Sequence, residues 1–199
     1  VNLGMLGYFK YANFFIDSFV KMSEGLFGYS PPTTTLTIIL PVGISFYTFQ
    51  TLSYTIDVYR RKLQPTRNFV KFAAFVAFFP QLVAGPIERA TNLLPQFNTV
   101  RSFTYLAGSS GMRLIVWGLF KKMVIADNCA PYVNEIFWNY QDQPAPVLMM
   151  GAVLFAFQIY GDFSGYSDIA IGTARLLGFD LMTNFRYPYF SRDVAEFWR

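Results

Sequence analysis

Charged residues are absent from two long stretches of the chain, and these stretches predict membrane-crossing helices. Gly25 to Ile56 contains 32 residues without a charge, and Gln143 to Gly161 contains 19. Within the first stretch, Leu36 to Ile56 is long enough to cross about 30 Å of hydrocarbon. The second stretch opens a helix that we expect to continue to about Leu177 and to end at Gly178, because glycine commonly terminates helices.

Three further apolar segments are less regular. Leu3 to Met22 is predicted to be a helix containing charged residues, which either spans the membrane or lies at its interface. Ser109 to Ile125 carries a basic flank and is predicted to span at a tilt or to lie along the interface. Phe72 to Ile87 is free of charge, but Pro80 and Pro86 interrupt any helix there, which predicts an elbow of irregular backbone. Together the segments predict an all-α, polytopic transmembrane helical bundle.

The composition supports a membrane protein. The chain is 53% hydrophobic and only 14% charged, whereas soluble domains carry about 25% charged residues. Five of its 16 basic residues lie between Asp57 and Lys71, which predicts a cytoplasmic connection and no nucleic-acid interface. The 199 residues contain no histidine, which excludes an imidazole base or a histidine metal ligand within them, and the single cysteine, Cys129, excludes an internal disulfide.

Two aspartates follow directly on the second charge-free stretch. A carboxylate inside a membrane helix costs about 2.5 to 3.5 kcal/mol, so Asp162 and Asp168 should each face protein or water and have a partner. Ser167 and Asp168 lie three and four residues after Ser164 and share its helix face. A Gly-x-x-x-Gly step at positions 161 and 165 permits the close approach of another helix. The stretch is either part of a functional site or a polar seam that only joins helices. In a functional site, we expect the two aspartates to order the seam rather than to act as nucleophiles.

Three motifs, in order along the chain, carry a resemblance to a known family. They are Phe79–Ile87 (FPQLVAGPI), Asp162–Ala170 (DFSGYSDIA), and Asn184–Phe190 (NFRYPYF) with Phe197–Arg199 (FWR) after it. Together they resemble the membrane-bound O-acyltransferase family, and more closely its bacterial alginate O-acetyltransferase branch, which is related to the proteins that D-alanylate teichoic acid. The resemblance extends from about Leu40 onward.

The resemblance implies a ring of membrane helices around a funnel, in a multi-pass protein of the bacterial inner membrane. It places an essential histidine just after Arg199 and a second one further on, so we expect no catalytic residue within this chain. We interpret the chain as part of a single transmembrane domain, truncated at both ends and inactive alone. The residues that match the family's funnel motifs are the candidates for a substrate path: Gln81, Gly85, Pro86, Asp162, Ser164, Tyr166, Ser167 and Asp168.

The resemblance also implies the partners of the whole protein. The donor would be acetyl-coenzyme A or another activated acyl carrier arriving from the cytoplasm, with no bound cofactor and no metal. The acceptor would be an extracytoplasmic polysaccharide such as alginate, reached with the help of an extracytoplasmic acetyltransferase partner, while membrane lipid surrounds the helices. Acyl transfer to a hydroxyl requires a base near neutral pKa and a site poor in water, which a polar seam inside a membrane bundle can provide.

Two other functions remain open from the residues alone. Broken spans and buried acids are also typical of transporters and channels, although these 199 residues carry no internal repeat. A non-catalytic membrane scaffold that recruits an outer-face transferase is the other alternative.

Overall fold

The computed structural model describes residues 1–29, 39, 41, 43–82, 85–184 and 187–197, and within these residues the chain is helical and contains no strand. Shorter turns of 3-10 helix lie at Phe79–Gln81, Tyr140–Asp142 and Pro188–Phe190. The α-helices are α1 (Asn2–Phe27), α2 (Ile44–Tyr59), α3 (Phe69–Val76), α4 (Ala90–Gln96), α5 (Tyr105–Leu119), α6 (Asp127–Trp138), α7 (Ala145–Leu176) and α8 (Val194–Phe197).

Helix α7 contains the segment predicted from the second charge-free stretch. It is 32 residues long, and it is the one helix in the described part of the chain that is long and apolar enough to cross a membrane. It ends at Leu176, and Gly178 follows with a φ of 77°, a left-handed conformation that glycine adopts without steric cost. The first predicted span is tested only in part, since α2 begins at Ile44 and residues 30–38, 40 and 42 lie outside the described residues.

Helices α5 and α6 form one continuous helical path through a π-helical segment, Phe120–Ala126. The predicted helix Ser109–Ile125 is therefore longer at both ends than its apolar pattern indicated. A π turn closes i to i+5 hydrogen bonds and is wider than an α turn, and such turns occur frequently at functional sites. This segment carries Lys121 and Lys122.

Glycines bring α5 and α7 into backbone contact. A Cβ atom placed on Gly118 would lie 2.5 Å from the carbonyl oxygen of Gly165, and one on Gly172 would lie 2.5 Å from the carbonyl oxygen of Gly111. A Cβ on Gly161 would lie 3.0 Å from a carbonyl oxygen of the π segment. The predicted Gly-x-x-x-Gly step is thus a site of close helix approach, because neither helix has a side chain between the two backbones.

A hydrophobic core joins α3, α4 and the end of α7 to the extended chain that follows α7. Phe75, Leu93, Phe179 and Leu181 are all buried in it. The elbow predicted at Phe72 to Ile87 is confirmed for its described residues, since α3 ends at Val76 and a 3-10 turn and extended chain follow. The elbow thereby returns the chain to α4, which packs beside α3.

Candidate functional site

A cavity of about 670 Å³ lies between α5, α7 and the chain from Thr183 to Phe197. Its walls are mostly aromatic and aliphatic, and its polar groups come from the π segment, α7 and the chain after α7. The lining residues are Leu114, Trp117, Lys121, Ile159, Tyr160, Phe163, Ser164, Ser167, Asp168, Ile171, Thr183, Asn184, Tyr187, Pro188, Tyr189 and Phe197.

An ion pair lies in the wall of this cavity. Lys121 Nζ is 2.7 Å from Asp168 Oδ2, and the two side chains are 11% and 21% exposed. This pair supplies the partner that an acid in the apolar helix requires, since removing one charge would leave the other buried and uncompensated. Lys121 and Asp168 are the charged residues among the described residues that line the cavity, and their formal charges cancel.

A second group of charges lies beside the first and is more exposed. Lys122 Nζ is 2.6 Å from Asp162 Oδ1 and 2.7 Å from Asp127 Oδ1. The Lys122 side chain is 37% exposed, and those of its two partners are 57% and 51% exposed. Asp162 therefore has a cation partner, as predicted, but it is not part of the cavity lining.

The π segment positions the two lysines. Both side chains reach acids of α7, Asp162 and Asp168, which lie six residues apart on that helix. The glycine contacts bring the two backbones close enough for both ion pairs to form at hydrogen-bond distance. The sequence indicated only a basic flank here. The pairs could have been identified from the sequence, because two acids at membrane depth require cations. Lys121 and Lys122, in the helical segment before α7, are the adjacent basic residues that could supply them.

Three predicted path residues of α7 meet at the cavity. Ser164, Ser167 and Asp168 all line it, as their shared helix face predicted. Ser167 Oγ donates a hydrogen bond to the carbonyl oxygen of Phe163 at 2.9 Å. Ser164 Oγ is buried and has no hydrogen-bond partner within the described residues. Tyr166 lies on α7 outside the cavity lining. Their role in a substrate path remains a prediction.

The remaining predicted path residues lie at the elbow, away from this cavity. Gln81 and Pro86 line a separate space of only about 20 Å³. Gln81 is 5% exposed, and its Nε2 lies 3.5 Å from the carbonyl oxygen of Phe75. A Cβ on Gly85 would lie 2.5 Å from Gln81 Cα, so the tight fold of the elbow requires glycine. The structure thus separates the two motifs that the sequence grouped together.

Glu88, just after the elbow, is buried and connects it to the chain that follows α7. It is 3% exposed, and its carboxylate accepts hydrogen bonds from Asn92 Nδ2 at 2.9 Å and from the backbone N–H of Met182. Burial raises the pKa of the Glu88 carboxyl above its usual value, and the hydrogen bonds from Asn92 and Met182 oppose that rise. The spacing of Glu88, Asn92 and Gln96 at intervals of four is the sequence signal for this contact.

The described residues contain no group of three or more metal-ligating side chains. The motif residues Phe185 and Arg186, and Trp198 and Arg199, lie outside the described residues.

No protein-family model matches the chain. Individual proteins of named function align with all or most of it. Its 199 residues align with a probable alginate O-acetylase, AlgI, of Azotobacter vinelandii at 47% identity, covering 39% of that protein. A peptidoglycan O-acetyltransferase of Helicobacter pylori aligns with all of the chain at 34% identity, over 41% of its own length. A teichoic acid D-alanyltransferase of Streptococcus thermophilus aligns with 93% of the chain at 25% identity, over 46% of its own length.

The chain spans about two fifths of the length of the relatives with which it aligns completely. The alginate O-acetylase match runs through all three motifs, including the residues on either side of the cavity. The comparisons confirm the resemblance predicted from the motifs: over its whole length the chain is related to the alginate O-acetylases, the branch of the membrane-bound O-acyltransferase family that its sequence resembles.

Proposed function

We propose that the full-length protein is a membrane-bound O-acyltransferase that transfers an acetyl or another short acyl group toward hydroxyls of an extracytoplasmic polysaccharide. The names of its relatives support this, because they describe acyl transfer to alginate, peptidoglycan and teichoic acid. We infer alginate as the acceptor, because it is the polymer in the name of the relative with the highest identity of these three.

The observation that carries the proposal is the cavity between α5, α7 and the chain after α7. Phe197 lines it, and the family resemblance places the essential histidine just after Arg199. A histidine there would follow the lining residue Phe197 by only a few positions along the chain. It could take the proton from an acceptor hydroxyl, since its pKa lies near neutral. Apolar walls limit the water that would otherwise hydrolyse an activated acyl group.

The charge balance of the cavity favours an uncharged acyl group. Lys121 and Asp168 neutralise each other at 2.7 Å, so the described part of the wall offers no net charge to bind acetate or phosphate. Ser164 Oγ, buried and without a partner in the described part of the chain, adds a hydrogen-bonding group. The phosphate-bearing part of a carrier such as acetyl-coenzyme A would then remain outside this cavity.

The proposal includes a multi-pass location in the bacterial inner membrane, within one funnel-shaped domain. α7 supports it as a helix of spanning length and composition. A donor from the cytoplasm and an acceptor outside require a path through that domain. A partner protein outside the membrane would complete transfer to the polymer.

The test is complementation with the full-length gene. An alginate-producing bacterium lacking its own membrane acetylase receives the gene, and acetyl groups on the secreted polymer are measured. The gene should restore acetylation, and replacing the histidine expected just after Arg199 with alanine should abolish it at unchanged protein level. Full activity without that imidazole would support a scaffold. No acyl group on any polymer, with normal membrane expression, would contradict the proposed function.

A further inference from the structure

We propose that Glu88, Asn92 and Gln96 are positioning residues that fix the wall of the cavity by holding the extended chain Phe179–Asn184, here called the strap, against α4. The proposal rests on the proposed function for its catalytic consequence, but the contacts themselves stand independently of it. None of the three residues lines the cavity.

The three side chains form hydrogen bonds with the N–H and C=O groups of the strap backbone, as the backbone of a neighbouring β-strand would. Gln96 Oε1 accepts from the N–H of Asp180 at 2.9 Å, and Gln96 Nε2 donates to the carbonyl oxygen of the same residue at 2.8 Å. Asn92 Nδ2 lies 3.4 Å from that carbonyl oxygen. Glu88 accepts from the N–H of Met182. Asp180 and Met182 are two apart, and the N–H groups of both donate to side chains on the same side of the strap.

The sequence of α4 is suited to this contact. Asn92 and Gln96 are four residues apart, so their side chains lie on one face of α4. Glu88 lies two residues before the helix begins. The three residues also bond one another: Asn92 Nδ2 donates to Glu88 at 2.9 Å, and Gln96 Nε2 lies 3.2 Å from the carbonyl oxygen of Asn92. The contacts run antiparallel, with the start of the strap at Gln96 and its later residues at Glu88.

The opposite side of the strap is held by the hydrophobic core. Phe179 is 7% exposed and Leu181 is 4% exposed. The guanidinium carbon of Arg101 lies 3.7 Å from the centre of the Phe179 ring, a cation–π distance. Alternate residues of the strap therefore face the core, while the backbone between them is held by α4.

The strap leads directly into the cavity. Its last residues, Thr183 and Asn184, line the cavity, and Tyr187, Pro188 and Tyr189 continue that wall. Asn184 Nδ2 lies 3.3 Å from the carbonyl oxygen of Ile87, and Tyr189 Oη donates to the carbonyl oxygen of Ala156 in α7 at 2.8 Å. The wall is therefore fixed to the elbow on one side and to α7 on the other. Movement of the strap would displace the wall and the chain that continues toward the expected histidine.

The test replaces Gln96 with leucine, which keeps a similar size and helix propensity but removes both bonds to Asp180. Hydrogen–deuterium exchange of the full-length protein in lipid nanodiscs is measured on the peptide that contains the Asp180 amide. Exchange should rise about tenfold, which corresponds to about 1.4 kcal/mol. Exchange in α7 should be unchanged. Gln141→Leu is the matched control, because Gln141 is exposed and its side chain donates to its neighbour, Tyr140, rather than to the strap.

Kinetics of the same variant separate positioning from folding. A displacement of about 1 Å can cost about 100-fold in rate, so kcat per folded enzyme should fall about 10- to 100-fold, with a smaller change in donor KM. Gln96→Glu is the second variant in case the first does not fold. It keeps the acceptor for the Asp180 N–H and loses the donor to the Asp180 carbonyl oxygen. The rise in exchange and the fall in kcat should therefore both be smaller than in Gln96→Leu.

The outcomes are distinguishable. Unchanged Asp180 exchange in both folded variants overturns the strap contact, and increased exchange with unchanged kcat overturns its positioning role. A wild-type protein without acyl transfer contradicts the proposed function, while exchange at Asp180 still decides whether α4 holds the strap.

Discussion

Replacing Gly118 with alanine should force α5 and α7 apart. The added Cβ would lie 2.5 Å from the carbonyl oxygen of Gly165 and 3.0 Å from the backbone nitrogen of Ile169. Both are backbone atoms of α7, so neither can rotate away. Ordinary contact begins at 3.4 Å, which requires the helices to separate locally by about 0.9 Å.

Two opposing free energies decide the size of the effect. Overpacking of this kind costs about 1 to 3 kcal/mol, and a contact with rigid backbone belongs at the upper end of that range. Alanine is favoured over glycine within a helix by about 1 kcal/mol. We therefore expect a net loss of about 2 kcal/mol. Acyl transfer should fall too, because the same separation would lengthen the Lys121–Asp168 pair in the cavity wall.

Thermal unfolding of the full-length protein in detergent, followed by tryptophan fluorescence, measures this loss. The matched relative is about two and a half times as long as this chain, and the entropy of unfolding is about 2.1 cal/mol/K per residue, so 1 kcal/mol corresponds to about 1 °C and a decrease of about 2 °C is expected. Gly7→Ala is the control, since no atom of the described residues lies within 4 Å of a Cβ at this position of α1, and it should leave the melting temperature unchanged or raise it. Equal melting temperatures for the two variants would refute the close-approach argument.

The remaining predictions concern the charged groups. Asp168→Asn leaves Lys121 partly buried without a counter-charge, so polymer acetylation should be strongly reduced or lost; normal acetylation at normal expression would contradict this. Lys121→Met should lower stability more than Lys122→Met, because pairs as exposed as those of Lys122 contribute only about 0.2 to 1 kcal/mol, and equal losses of melting temperature would contradict the difference in burial. Glu88 has a raised pKa, so the folded protein holds its proton more firmly than the unfolded protein, and stability should fall as the pH rises from about 4.5 through the folded pKa. Glu88→Gln should flatten that slope in a melting series between pH 4.5 and 7.

The features that could be predicted from the sequence are local ones. The charge-free stretch and its following polar face predicted α7, and the spacing of Ser164, Ser167 and Asp168 correctly placed their side chains at one surface. The Gly-x-x-x-Gly step predicted a close helix approach without identifying the partner helix. Each of these inferences needs only the 3.6-residue period of one helix.

The partners of those residues could not be predicted in the same way. The contact between Lys121 and Asp168 joins residues 47 apart in sequence, and it depends on a π segment that no apolar period indicates. The stretch after Ile125 mixes polar and aromatic residues without a clear apolar period, yet it is helical to Trp138, because packing on α7 outweighs its mixed polarity. The bonds to the strap from α4 and from Glu88 just before it join residues 84 and more apart, and they have no local signal beyond the spacing of Glu88, Asn92 and Gln96.

These long-range contacts connect the first motif, Phe79–Ile87, to the cavity wall. Gln81 and Pro86 do not reach the large cavity, so a role in contacting substrate there does not account for their place in the motif. They form part of the elbow: Gly85 allows the chain to fold against Gln81, and Glu88 follows the elbow directly. Glu88 then bonds the strap, and the strap continues into the cavity wall. A substitution in the first motif should therefore change acyl transfer through the strap, and its effect should be accompanied by faster exchange at the Met182 amide.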